Sequence, residues 1–83
     1  MKTEIQATSL SFSFYQGSAF LSFRQKGSGT TELSEMDKNP ELISSVISAQ
    51  AALLTTKINT TIQYRVIISL EDGKVTGIDT TTA

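Results

Sequence analysis

The chain has 83 residues, net charge −1, and neither cysteine nor histidine, which excludes disulfides, the common zinc ligand sets and most metal or thiol chemistry. A single domain of this size buries only about 60% of its unfolded surface, so it needs a supplement, and oligomerisation is the one left. Its seven basic residues (Lys2, Arg24, Lys26, Lys38, Lys57, Arg65, Lys74) are scattered along the sequence without the basic run expected of a nucleic-acid binder.

The N-terminal MKTEIQ lacks the apolar core of a secretion signal, and the apolar-leaning run Leu42–Leu54 is too short and serine-rich to span a bilayer. The expectation is a soluble, cytoplasmic, single-domain protein over residues 1–83 that starts at its own Met1 and binds neither membrane nor nucleic acid.

The first elements form a hairpin whose register can be argued. Leu10, Phe12 and Phe14 alternate with Ser9, Ser11, Ser13 and Tyr15, the period of a half-buried strand. With Gln16-Gly17 as a two-residue turn, Phe14 meets Ala19, Phe12 meets Leu21 and Leu10 meets Phe23. A three-residue loop sets Leu10 against Arg24 instead, so the shorter turn is predicted. Residues 26–38 (KGSGTTELSEMDK) read as a flexible loop.

Asn39-Pro40-Glu41 is a helix start: Asn as N-cap, Pro in the first turn, and an acid where the dipole favours it. The helix is expected from Pro40 to about Thr56, closed by Lys57. Leu42–Thr56 carries no charge at all. Leu42, Ile43, Val46, Ile47, Ala49, Leu53 and Leu54 form a wide apolar arc toward a sheet, with Gln50 inside it. A buried amide costs roughly 1–3 kcal/mol if unpaired, so Gln50 is expected to bond a strand backbone group or a buried water, or to line an interface. The opposite side, Ser44, Ser45, Ser48, Ala51 and Ala52, is small and uncharged where a surface helix normally carries Lys or Glu.

After the helix, Ile58, Ile62, Tyr64, Val66, Ile68 and Leu70 share one face of a long strand. Glu71-Asp72-Gly73 is read as a three-residue hairpin loop, placing Val66 opposite Ile78 and Arg65 opposite Asp79. Residues 80–83 are expected to fray. The predicted fold is α+β, ββαββ: a four-stranded antiparallel sheet of two hairpins with one helix packed on one face. Ile5, Ala7, Tyr15, Phe20 and Ile67 are expected on the outer sheet face.

No arrangement for catalysis is evident, and no enzyme is expected. Glu32, Glu35, Asp37 and Glu41 lack the spacing of a calcium loop and read as a solvated acidic segment, with a weak divalent site as the sharper alternative. Lys26–Thr31 resembles a phosphate-cradling loop in composition only. Asn59-Thr60-Thr61 matches a glycosylation acceptor, a pattern common by chance. No cofactor and no metal are expected. Arg24, Arg65 and Tyr15 are candidate ligand-binding residues, since guanidinium forks and an aromatic face suit a nucleotide-like anion held between subunits. Their plainer reading is surface solubility.

The leading functional expectation is a small non-enzymatic binding or interaction protein acting as a homo-oligomer. Short chains without catalytic equipment are typical of phage or mobile-element accessory proteins that inhibit a host protein by binding. Sequestration of a small anionic ligand and a structural or assembly role are the alternatives. Two surfaces compete as the interface: Ser44, Ser48, Ala51 and Ala52 on the helix, and Phe20 and Ile67 on the sheet.

Overall fold

The computed structural model describes residues 2–58 and 61–82. Five strands and one helix follow in the order β1 (Lys2–Tyr15), β2 (Ser18–Gln25), β3 (Thr31–Met36), α1 (Pro40–Ile58), β4 (Tyr64–Glu71) and β5 (Lys74–Thr82). The class is α+β as expected, but the sheet has five strands and is mixed rather than four-stranded and antiparallel. It closes into a barrel in the order β1-β2-β3-β5-β4. Around that ring β4, β1, β2 and β3 lie side by side, which is the Greek-key order, and β5 completes the circle.

The first hairpin has the predicted register, with Phe14 opposite Ala19, Phe12 opposite Leu21 and Leu10 opposite Phe23. Its turn takes φ values of 50° at Gln16 and 80° at Gly17, the doubly positive geometry that matches strand twist. Phe12 and Phe14 meet edge to face with ring centroids 5.6 Å apart.

Two bulges correct the remaining strand predictions. In β1 the register shifts between Ala7 and Ser9, so Thr8 is an extra residue. Alternation is reset there, and Ala7 and Ile5 turn inward to the core instead of outward. In β5 the register shifts beside Ser69/Leu70. The β4–β5 turn therefore has two residues, Asp72-Gly73 at φ 54° and 80°, not three. Thr76 takes up the extra place, which puts Ile68 opposite Ile78, Val66 opposite Thr80 and Arg65 opposite Thr81. Asp79 faces Ile67 rather than Arg65.

The expected loop at 26–38 contains β3, paired with β2 from Ala19/Met36 to Arg24/Thr31. Its alternation is inverted. Leu33 points outward and is 64% exposed, while Glu32 and Ser34 share the inward side with Met36 at the open mouth of the barrel. A polar strand of this kind has no hydrophobic period to read. The expected fraying at 80–83 is also corrected: Thr80–Thr82 pair with β4, and residue 83 lies outside the described residues. The long strand expected from Ile58 begins only at Tyr64, because α1 continues to Ile58.

Closure between β3 and β5 is slight, a single parallel pair, Met36 with Val75. Lys74 reinforces it from outside, its ammonium 2.9 Å from Asp37 and 3.7 Å from Glu35. The hydrogen bond to Asp37, and then its charge, raise the Lys74 pKa above the ordinary 10.5. A raised folded-state value stabilises the fold at pH below 10.5 and loses that contribution as pH climbs through it. The thermal midpoints of wild type and Lys74→Met are expected to differ at pH below 10.5 and to converge as the pH rises through the raised Lys74 pKa.

The barrel core is Ala7, Leu10, Ala19, Leu21, Phe23, Met36, Val66, Ile68 and Val75, joined by Leu42, Val46, Ala49 and Leu53 from α1. Every buried side chain among the described residues is apolar. The helix starts as predicted: the Asn39 side-chain oxygen accepts from the Glu41 N–H at 2.8 Å, and the Asn39 carbonyl from the Ile43 N–H at 3.0 Å. Beyond Ala7, β1 no longer pairs with β4, and there the Gln50 amide donates to the Leu10 carbonyl at 2.9 Å. That is the strand-backbone partner expected for it. Gln50→Ala is expected to cost about 1 kcal/mol in urea unfolding, the value of one such bond.

Candidate interaction surface

Burial along α1 divides it into two apolar stripes. Leu42, Val46, Ala49, Ala52 and Leu53 are buried. On the other side Ile47 is 55% exposed, Leu54 59% and Ile58 76%, with Ala51 exposed between them. At 3.6 residues per turn the two stripes lie roughly 150° apart. Ile47, Ala51, Leu54 and Ile58 follow one another at intervals of four, three and four, the spacing of a helix-pairing seam.

This redraws the expected helix faces. Ile47 and Leu54, assigned to the sheet, point away from it, and Ala52, assigned to the back, is buried. Ser44, Ser48 and Ala51 are exposed as expected. A barrel end is narrower than a flat sheet and covers a narrower arc of the helix, so the flanks of the wide apolar arc are left outside.

The outer stripe is neutral as well as apolar. On its flank the Thr55 hydroxyl donates to the Ala51 carbonyl, and Ser44 and Ser48 are exposed beside it. The total accessible surface, 5256 Å², exceeds the roughly 4,900 Å² expected of a folded monomer of 9.0 kDa.

The competing surface does not hold together. Phe20 stands on β2 between Ser13 and Glu35, and Ile67 on β4 between Gln6 and Asp79, both half-buried. Strands β2 and β4 flank β1 on opposite sides, so barrel curvature turns the two residues away from each other. The three candidate ligand residues are also divided. Tyr15, 66% exposed, is at the hairpin tip opposite Ser18, while Arg24 is six residues further along β2, about 20 Å away. Arg24 and Arg65 lie on either side of β1 near its bulge, and the Thr8 hydroxyl donates to the Arg24 carbonyl at 3.3 Å.

Arg65 instead has neighbours the sequence reading did not connect with it. It lines a cleft with Lys26 and Lys57, beside Gln6, Thr8, Thr56, Gln63 and Tyr64. Only a bulge placed at Thr8 brings these segments together, and a bulge leaves no mark in residue type.

Among the described residues no group of His, Cys, Asp or Glu is arranged to hold a metal ion, and no helix is long and apolar enough to cross a membrane. Glu35 and Asp37 face Lys74, and Glu41 begins the helix. Of the Asn59-Thr60-Thr61 motif, Asn59 and Thr60 lie outside the described residues.

Five strands in Greek-key order around one barrel give a strand order like that of OB-type barrels, a likeness of topology alone that assigns no function. Comparison with protein-family models, with curated proteins and with solved structures finds no match.

Proposed function

We propose that this protein is a non-enzymatic binding protein that works as a homodimer paired through the outer stripe of α1. The observation that carries the reading is the neutral Ile47/Ala51/Leu54/Ile58 seam, exposed on a helix whose opposite side already packs the core. A symmetric dimer needs a patch complementary to itself, and a seam without charge meets its own copy without repulsion.

Antiparallel pairing suits the residue order. It sets Leu54 over Ala51 of the partner subunit and Ile47 beside Ile58 of the partner subunit, large against small at the centre and with helix dipoles opposed. Parallel pairing stacks Ala51 on itself and leaves a gap. The paired length from Ile47 to Ile58 is about 16 Å.

The outer face of β2 and β3 supports the reading by contrast. Where OB-type barrels grip oligonucleotides on that face, this chain carries Phe20, Ser22, Arg24, Leu33 and Glu35, one cation offset by one acid. Without histidine or cysteine the chain also lacks the commonest general base and the strongest nucleophile. A protein of this kind acts by occupying its partner, and an accessory protein that blocks a host factor is the role it fits.

Sedimentation equilibrium tests the dimer. Association is expected at concentrations on the order of 10 µM, since six partly exposed aliphatic side chains only modestly exceed the cost of association. A chain that stays monomeric at about 200 µM overturns the reading.

A further inference from the structure

We propose that the cleft between the β1 bulge and the last turn of α1 binds a small phosphorylated ligand, held by Lys26, Lys57 and Arg65. The cleft encloses about 330 Å³, within the range of small-ligand sites. Three of the chain's seven cations line it, and no Asp or Glu does. Lys74 pairs with Asp37 and Glu35 across the ring at the β3–β5 seam, and among the described residues none of the three cleft cations is seen with an acidic partner.

No acid lines the cleft, and the acid nearest Arg65 in the strand register is Asp79, opposite Ile67 on the same outer face. Glu35 and Asp37 are at that seam with Lys74, and Glu41 lies near β5 at the helix start. The lining of one cleft thus concentrates three positive charges in a chain of net charge −1. Three like charges in one cleft repel one another, and the partly negative carbonyl end of α1 offsets this only at Lys57 in its last turn, so surface solubility does not account for their convergence.

The charge count selects the ligand class. A carboxylate carries one negative charge and leaves the cluster largely unbalanced, whereas a phosphate monoester or pyrophosphate brings two or more. The Arg65 guanidinium offers a planar fork for two phosphate oxygens, and the lysines add point charges around them. The buried floor, Ala7 and Leu53, and the half-buried Tyr64 ring give an organic group an apolar wall. Each chain contains a whole cleft, so this site does not depend on the dimer.

Isothermal titration of the full chain at low salt with pyrophosphate, ADP and adenosine tests the proposal. Pyrophosphate and ADP are expected to bind and adenosine not to. Arg65→Gln is expected to weaken binding by about tenfold, and Lys2→Gln, an equal charge change remote from the cleft, by less than about twofold. Amide shifts on pyrophosphate addition are expected at Gln6–Thr8 and Gln63–Arg65. The proposal is overturned by absence of pyrophosphate binding up to about 10 mM, by equal loss in the two variants, or by shifts confined to another surface. Adenosine binding as tightly as ADP overturns it too. Because Ile47 is at the end of the seam remote from Lys57, Ile47→Glu is expected to disrupt pairing and leave pyrophosphate binding unchanged, which separates this result from the fate of the dimer.

Discussion

Leu54→Glu is expected to convert the proposed dimer to a monomer of 9.0 kDa without unfolding it. Leu54 is 59% exposed and absent from the core, so the monomer loses little when it is replaced. In the dimer the same change acts twice, because each subunit brings a Leu54 to the seam. Two apolar contacts disappear and two carboxylates enter a seam that otherwise holds only carbon, a desolvation cost of several kcal/mol. The dissociation constant is expected to rise at least about a hundredfold. Sedimentation velocity reads the mass, and circular dichroism checks that helix content is kept. Ser48→Glu, on the flank of the stripe, is expected to weaken pairing less.

Leu21→Ala is expected to be the most damaging single truncation. Leu21 is fully buried, lies at the centre of β2 opposite Phe12, and faces Ser34 on the other side. Removing its branched side chain from a barrel interior costs about 2–5 kcal/mol, because strands held in closed ladders cannot collapse into the cavity. A domain of this length has roughly 4–12 kcal/mol of stability in all. Urea unfolding is expected to show the midpoint falling by about half, with a fraction of the chain already unfolded at 37 °C. Phe14→Ala, at a position 58% exposed on the hairpin tip, serves as the contrast and is expected to move the midpoint little.

These contrasts track what the sequence could say. The first hairpin was legible because Leu10, Phe12 and Phe14 alternate strictly and Gln16-Gly17 admits one register that keeps them on one side. The helix start was legible because Asn39 and Pro40 do chemistry specific to that position. Gln50 was legible as a polar group needing a partner, although only the departure of β4 from β1 after Ala7 shows why Leu10 supplies it. What escaped the sequence was geometry that residue types do not encode. A single extra residue at Thr8 reversed the facing of Ile5 and Ala7, and another at Thr76 changed the turn length and every pairing of Arg65. Strand β3 escaped because its one large aliphatic, Leu33, points out while Glu32 and Ser34 turn inward.

The candidate sites divide in the same way. The absence of charge from Leu42 to Thr56 pointed at α1 as an interface, but a barrel rather than a sheet decided which residues are left outside. Ile47, Leu54 and Ile58 are therefore the large apolar residues left outside, with Ser44, Ser48 and Ala51 around them. Arg65 was singled out for its guanidinium, but its neighbours in the fold are not the Arg24 and Tyr15 grouped with it. Lys26 and Lys57, distant in sequence, meet it only through the β1 bulge and the end of α1.

The meagre contact of β3 with β5 has a consequence for how the molecule comes apart. Unrolling the ring at Met36 and Val75 gives up one residue pair and a solvent-exposed ion pair, and leaves all four antiparallel ladders standing. That is the least costly partial opening available to the fold, and it exposes the edge of β3 before any other backbone. Amide protons of Thr31–Glu35 should thus exchange with solvent earliest among the strands, with those of β1 between its two partners persisting longest.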